Sequence, residues 1–160
     1  MPDDTDLAEV RLLRIPLRLR ARSAQHGEEL MRELALIQIG AQQHAREHVE
    51  ESVPQRLLDL AAEAQTTYGA FSAAPDAEMA AALERGEEDL DVTYRVPRHV
   101  GPFVRRMRGI LEEADEYCRQ GEHLLTLAAP ADVAAYRRWL FDQFERQIAG
   151  EDPQPWRGAE

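Results

Sequence analysis

The chain has 160 residues, 44% hydrophobic and 31% charged, enough for one domain that buries a core without metals or disulfides. Its 30 acids outweigh 19 bases, the net charge is −11, and every base is an arginine. The absence of lysine excludes a Walker A phosphate loop, a Schiff-base lysine and a pyridoxal phosphate site, and the lone Cys118 excludes intrachain disulfides and Cys-rich zinc sites.

Residues 1–9 read as a flexible acidic N-terminus, 10–150 as a single helical domain and 151–160 as an irregular tail. In residues 10–22, Arg11, Arg14, Arg18, Arg20 and Arg22 interleave with Leu12, Leu13, Ile15, Leu17 and Leu19, and no acid intervenes. Pro16 can open a helix, because its missing N–H is one that the first turn leaves unpaired anyway. That helix is predicted to run to about Ala45, with Gly27 a point of interruption. Leu30, Leu34, Ile37 and Ala41 share a face, and Leu36 and Ile39 widen it, which predicts burial on more than one side. Pro54 opens the next helix, through Leu57, Leu58, Ala61, Ala64 and Tyr68, with Gly69 just past its end. Pro75 starts a short helix through Met79, Ala82 and Leu83, closed by Gly86.

Leu90, Val92, Tyr94 and Val96 alternate with polar residues, a period of two. A strand there needs a partner that only residues 10–15 offer, so an extended connection is the expected form. Val100, Phe103, Val104, Met107, Ile110, Leu111, Ala114, Tyr117 and Cys118 then give the clearest helical stripe, ended by Gly121. Pro130 opens the last helix, striped by Val133, Tyr136, Leu140, Phe144 and Ile148 and closed by Gly150. The expected fold is all-α, a bundle of about five helices with one short extended segment near 90–97.

Few residues suggest chemistry. His44-Ala45-Arg46-Glu47-His48 has H-x-x-E-H spacing, which places two potential zinc ligands on one helix face. Two ligands do not make a site, and the polar surroundings read as a solvated helix end, so no metal is expected. No glutamate stands three residues before any histidine, which removes the di-iron carboxylate pattern. Glycine-rich phosphate loops and G-x-S-x-G are absent. Cys118 lies on an apolar stripe and reads as structural, with Asp115, Glu116 and Arg119 as a solvated face. No catalytic residue and no cofactor are expected.

The interaction candidates are Arg11, Arg14, Arg18, Arg20 and Arg22, together with the Tyr136/Trp139 edge of the last helix. Trp139 points away from its helix stripe and is either buried by a second neighbour or available to a partner. The arginines need an acidic counterpart, in the 84–91 block of the same chain, in a second subunit or in another protein. The expected function is a non-enzymatic interaction or regulatory module whose partner is a protein, including a second copy as a homodimer. The alternatives are a metal- or ligand-binding helical domain using His44 and His48, and a nucleic-acid-binding regulator using the 11–22 arginines. The net charge argues against nucleic acid, and Pro16 and the shortness of LLRIPLRLR argue against a membrane surface. The acidic opening MPDDTD and the lack of a long apolar run give a cytoplasmic expectation.

The segments LDVTYRVP at 90–97 and EADEYCRQGEHLLTLAAPADVAAYRRWLFDQFERQ at 113–147, with RLLRIPLRLRARSAQHGEELMREL at 11–34, carry a resemblance. Together they resemble a family of small actinobacterial proteins, often encoded beside anti-sigma factors, anti-anti-sigma factors and related phosphatases. The resemblance brings no active site. It implies a cytoplasmic role near stress or sigma-factor partner switching.

Overall fold

The computed structural model describes residues 6–44, 53–120 and 128–158. The chain runs β1 (Leu7–Pro16), α1 (Leu17–His44), α2 (Val53–Glu63), one π-helical turn (Ala64–Tyr68), α3 (Gly69–Glu84), β2 (Asp89–Pro97), a 3-10 turn (Arg98–Val100), α4 (Gly101–Gln120) and α5 (Ala131–Ile148). The protein is mostly helical, but it is not a pure bundle: β1 and β2 form a two-stranded antiparallel sheet. The extended connection expected at 90–97 is therefore a strand. Val10 lies opposite Tyr94 and Leu12 opposite Val92, so the apolar alternations of both strands meet on one buried face.

Between Leu12 and Ile15 the register shifts, and Leu13 and Arg14 together oppose Asp91. Arg14 takes φ +57°, and its N–H donates to Asp91 Oδ1 at 2.7 Å. This bulge keeps Ile15 on the buried side after an odd step in the pattern. Pro16 ends the strand and α1 follows at Leu17, whose N–H donates to the Glu88 carbonyl at 3.0 Å.

Several local expectations change. Gly27 does not interrupt α1, and Gly69 adopts helical φ, so the chain passes from α2 through the π turn into α3 without a break. Pro75 lies inside α3 rather than at its start. Leu36 and Ile39 are exposed, 58% and 55%, so the later part of α1 is not buried on two sides. Gly86 and Gly150 do end their helices. At φ +82° and +94° they support paired reverse bonds, Glu87 N–H to Ala82 and Glu151 N–H to Arg146, a geometry that strains any side chain.

Two apolar clusters share α4. One packs Val10, Leu12, Ile15, Val92, Tyr94, Met79, Phe103, Val104 and Tyr136 beneath the sheet. The other packs Leu30, Leu34 and Leu57 against Ile110, Ala114 and Cys118. The α4 stripe read from the sequence supplies both, its first half to the sheet and its second half to α1 and α2.

A polar device closes the sheet. Gln147 of α5 is 9% exposed and faces the outer edge of β1. Its Oε1 accepts the Arg11 N–H at 2.7 Å, and its Nε2 donates to the Arg11 carbonyl at 2.8 Å and to Gln143 Oε1 at 3.1 Å. Gln143 Oε1 also accepts the Gln154 N–H at 2.8 Å. The segment 151–158 lacks helix and strand but is fastened down: the Trp156 N–H donates to the Leu13 carbonyl at 3.0 Å.

Two substitutions test this architecture. Ile110→Asp puts an unpaired carboxylate in the second cluster and is expected to cost about 3 kcal/mol or more, read as a lowered urea midpoint. Gln147→Leu removes the partner of a strand N–H and C=O while keeping bulk. It is expected to cost about 2 kcal/mol in the same assay, since a buried group left unpaired costs about 1–3 kcal/mol. An unchanged midpoint in either variant would refute the packing described for that position.

Candidate functional site

The arginines of 10–22 divide into two sets. Arg20 and Arg22 pair with neighbouring helices, Arg20 half-buried and Arg22 at the surface: Arg20 Nη2 lies 3.1 Å from Asp76 on α3, and Arg22 Nη1 lies 2.5 Å from Asp132 on α5. α1 has no acid in its first turn, so its positive end and its own arginines repel; Asp76 and Asp132 supply the missing negative charge. The hydrogen bond from Arg22 holds the Asp132 carboxyl below its ordinary pKa. The 84–91 acids do not take the ion-pairing role: its Asp91 accepts the Arg14 backbone N–H.

Arg11, Arg14 and Arg18 form the other set. They are exposed, and their guanidinium groups make no ion pair among the described residues. Arg11 and Arg14 belong to the outward side of the sheet, with Glu9, Asp89, Asp91, Thr93 and Arg95, all exposed. This outer face is polar and carries both signs of charge, while the apolar cluster packs on the opposite face of the sheet.

The free edge lies on β2. Both the N–H and C=O of Arg11 turn to Gln147, away from β2, so Arg11 and Thr93 face each other as a pair without mutual hydrogen bonds. The Thr93 N–H and C=O must then point to the opposite edge of β2. Among the described residues no strand lies there, and neither group has a hydrogen-bond partner. On β1 the Arg11 N–H and C=O and the Leu13 C=O find partners outside the sheet, whereas on β2 the Thr93 groups find none among the described residues.

The Tyr136/Trp139 edge has a covering. Trp156 packs edge-on against both rings, with centroids 6.0 Å from Tyr136 and 5.7 Å from Trp139, and the Trp139 Nε1–H donates to the Gln154 carbonyl at 3.0 Å. The off-stripe direction of Trp139 is answered by the chain's own tail. Burial also pushes the Tyr136 hydroxyl up to about 12.

Asp115 is not on a solvated face. It pairs with Arg137 at 3.4 Å, with side-chain exposures of 11% and 12%, and accepts the Ala129 N–H at 3.3 Å. Arg137 Nη2 lies 3.2 Å from His26 Nδ1. Burial lowers the Arg137 pKa, and Asp115 opposes that. Cys118 is fully buried, and burial, then Asp115, raises its thiol pKa, which fits a packing role and not a nucleophile. His44 is the last residue of α1 with its side chain undescribed, and Glu47 and His48 lie outside the described residues. Among the described residues no three His, Cys, Asp or Glu side chains cluster as a metal site. No described helix is long and apolar enough to cross a membrane.

Gln143 and Gln147 are the residues that sequence reasoning passes over. Their i, i+4 spacing puts them on one face of α5, but glutamines read as solvated until a strand edge is known to lie opposite. Asp115→Ala leaves Arg137 buried without its carboxylate and is expected to lower unfolding free energy by about 2 kcal/mol or more. A chemical-denaturation midpoint equal to that of the parent would show that the pair does not carry that weight.

Compared with known proteins, the chain matches no family model, no curated protein and no solved structure.

Proposed function

We propose that the chain is a non-enzymatic interaction module that works through the open edge of β2, and that its first partner is a second copy of itself. One observation carries this reading: the Thr93 N–H and C=O are directed out of the sheet, at an edge of β2 that no strand covers among the described residues, and the order of charges along β2 is compatible with self-pairing. Antiparallel pairing of two β2 strands about a two-fold axis at Thr93 sets Asp91 opposite Arg95 of the other copy, and Arg95 opposite its Asp91. Asp89 then faces Pro97. The Thr93 N–H and C=O gain partners, and the two-stranded sheet becomes four-stranded.

The arginines have a secondary part in this reading. Arg11, Arg14 and Arg18 lie outside the edge itself and give the surface around it a positive bias that attracts acidic partners at a distance. The resemblance to proteins encoded near sigma-factor regulators points the same way, towards partner binding.

Sedimentation velocity over a concentration series tests the proposal. The wild-type chain is expected to dimerise. Thr93→Pro removes an N–H that β1 does not use, so it is expected to yield a folded monomer with parental circular dichroism. Arg95→Glu sets like charges opposite each other twice per dimer. At about 0.2–1 kcal/mol per cross-strand pair, dimerisation is expected to weaken by about tenfold, and less at high salt. A wild-type chain that stays monomeric into the hundred-micromolar range, or a Thr93→Pro dimer of unchanged affinity, would overturn the reading.

A further inference from the structure

A markedly apolar concavity lies on the inner side of β2, away from its edge. It has a volume of about 360 Å³ and sits where the π turn, the start of α3, the end of β2, α4 and α5 converge. Its walls are aromatic: Tyr68, Phe71, Tyr94, Phe103, Phe141 and Phe144. Tyr68 and Phe103 stand 4.8 Å apart at a tilt of 44°, and Tyr94 meets Phe144 edge-on at 5.4 Å. In a chain with 31% charged residues, no charged side chain lines this cavity among the described residues.

The local backbone shapes the opening. The π turn inserts an extra residue between α2 and α3 and delivers Tyr68 onto Phe103. Pro75 follows inside α3, and the two irregularities bracket Phe71 and Ser72. Such π turns carry a conformational cost and recur at binding sites. Two of the three hydroxyls at the wall are committed: Ser72 donates to the Gly69 carbonyl at 3.1 Å, and Tyr94 donates to Asp76 at 3.1 Å, which leaves the Tyr68 hydroxyl as the polar handle of the site. The Ser72 and Tyr94 hydrogens are spent, and Asp76, itself paired with Arg20, stands behind Tyr94.

The size of the cavity selects the occupant. Small-molecule pockets begin at roughly 300 Å³ and are lined by apolar and aromatic groups with few polar ones. An ionised ligand would lose hydration with no opposite charge on the wall to replace it, whereas a neutral ring system stacks on what is there. We infer that this cavity is a binding site for a small, uncharged, planar aromatic molecule of one or two rings. The inference is independent of the strand-edge reading, because the cavity uses the inward side chains of β2 and the edge uses its backbone.

Calorimetric titration of the full chain with 1-naphthol, and in parallel with 1-naphthoate, tests it. One 1-naphthol per chain is expected to bind with sub-millimolar affinity, and 1-naphthoate about tenfold more weakly or worse. Nuclear Overhauser contacts from bound 1-naphthol are expected to the rings of Phe103 and Phe144 and to the Val96 and Val100 methyls. Ser72→Phe fills the cavity from its wall and is expected to abolish binding. If that variant does not fold, the contacts measured on the wild-type chain decide alone. No saturable binding, equal affinity for the carboxylate, or contacts that map elsewhere would overturn the assignment, including the case in which the cavity instead receives an aromatic side chain of a protein partner.

Discussion

The β1 side of the molecule depends on a single side-chain amide. A two-stranded sheet has two edges, and each presents backbone donors and acceptors that water or another strand must satisfy. Gln147 meets this demand on β1 as a third strand would, accepting from and donating to the same residue, Arg11. Its remaining hydrogen goes to Gln143, which in turn holds the Gln154 N–H, so the amide pair ties together β1, α5 and the C-terminal segment. A hairpin-sized sheet is marginal alone. Here it is one wall of a core whose other walls are α3, α4 and α5.

That arrangement decides what remains available to partners. Because Arg11 turns its polar backbone groups to Gln147, Thr93 must turn its own away from β1, and the edge that stays open is that of β2. The direction of the Arg11 groups and that of the Thr93 groups are a single geometric fact. The same logic relocates the aromatic candidates. Trp139 and Tyr136 carry the hallmarks of a contact surface in sequence, but the segment after Gly150 reverses and lays Trp156 on them. Fastened at Leu13 and at Gln143, this segment behaves as part of the domain.

Charge follows a parallel division. Arg20 and Arg22 are paired with Asp76 and Asp132, which compensate for a helix start without acids. Arg137 and Asp115 bury a pair between α4 and α5, where the low dielectric makes the loss of either partner costly. The pairs Arg56–Glu113, Arg85–Glu87 and Arg119–Glu116 are largely exposed and contribute little individually, whereas Arg108 of α4 reaches Asp142 and Glu145 of α5 in a half-buried network. Arg11, Arg14 and Arg18 are the members of the early arginine run that the fold leaves to solvent.

The sequence by itself determined several features that depend on neighbours within a few turns, though not the local effects of Gly27, Gly69 and Pro75. The α4 stripe, the opening of α1 after Pro16, the helix stops at Gly86 and Gly150 and the buried character of Cys118 follow from a 3.6-residue period and from glycine's freedom at positive φ. Tertiary structure alone decided the rest. The alternation at 90–96 was visible, but its strand character required Leu7–Pro16, three helices earlier in the chain. The extent of α1 burial, the pairing of Arg20 and Arg22, the cover over Trp139 and the roles of Gln143 and Gln147 each depend on residues far away in sequence. An amphipathic period states which face of an element seeks cover. It does not state which element provides that cover, because the free energy of burial is indifferent to sequence separation and only the folded geometry fixes the partner.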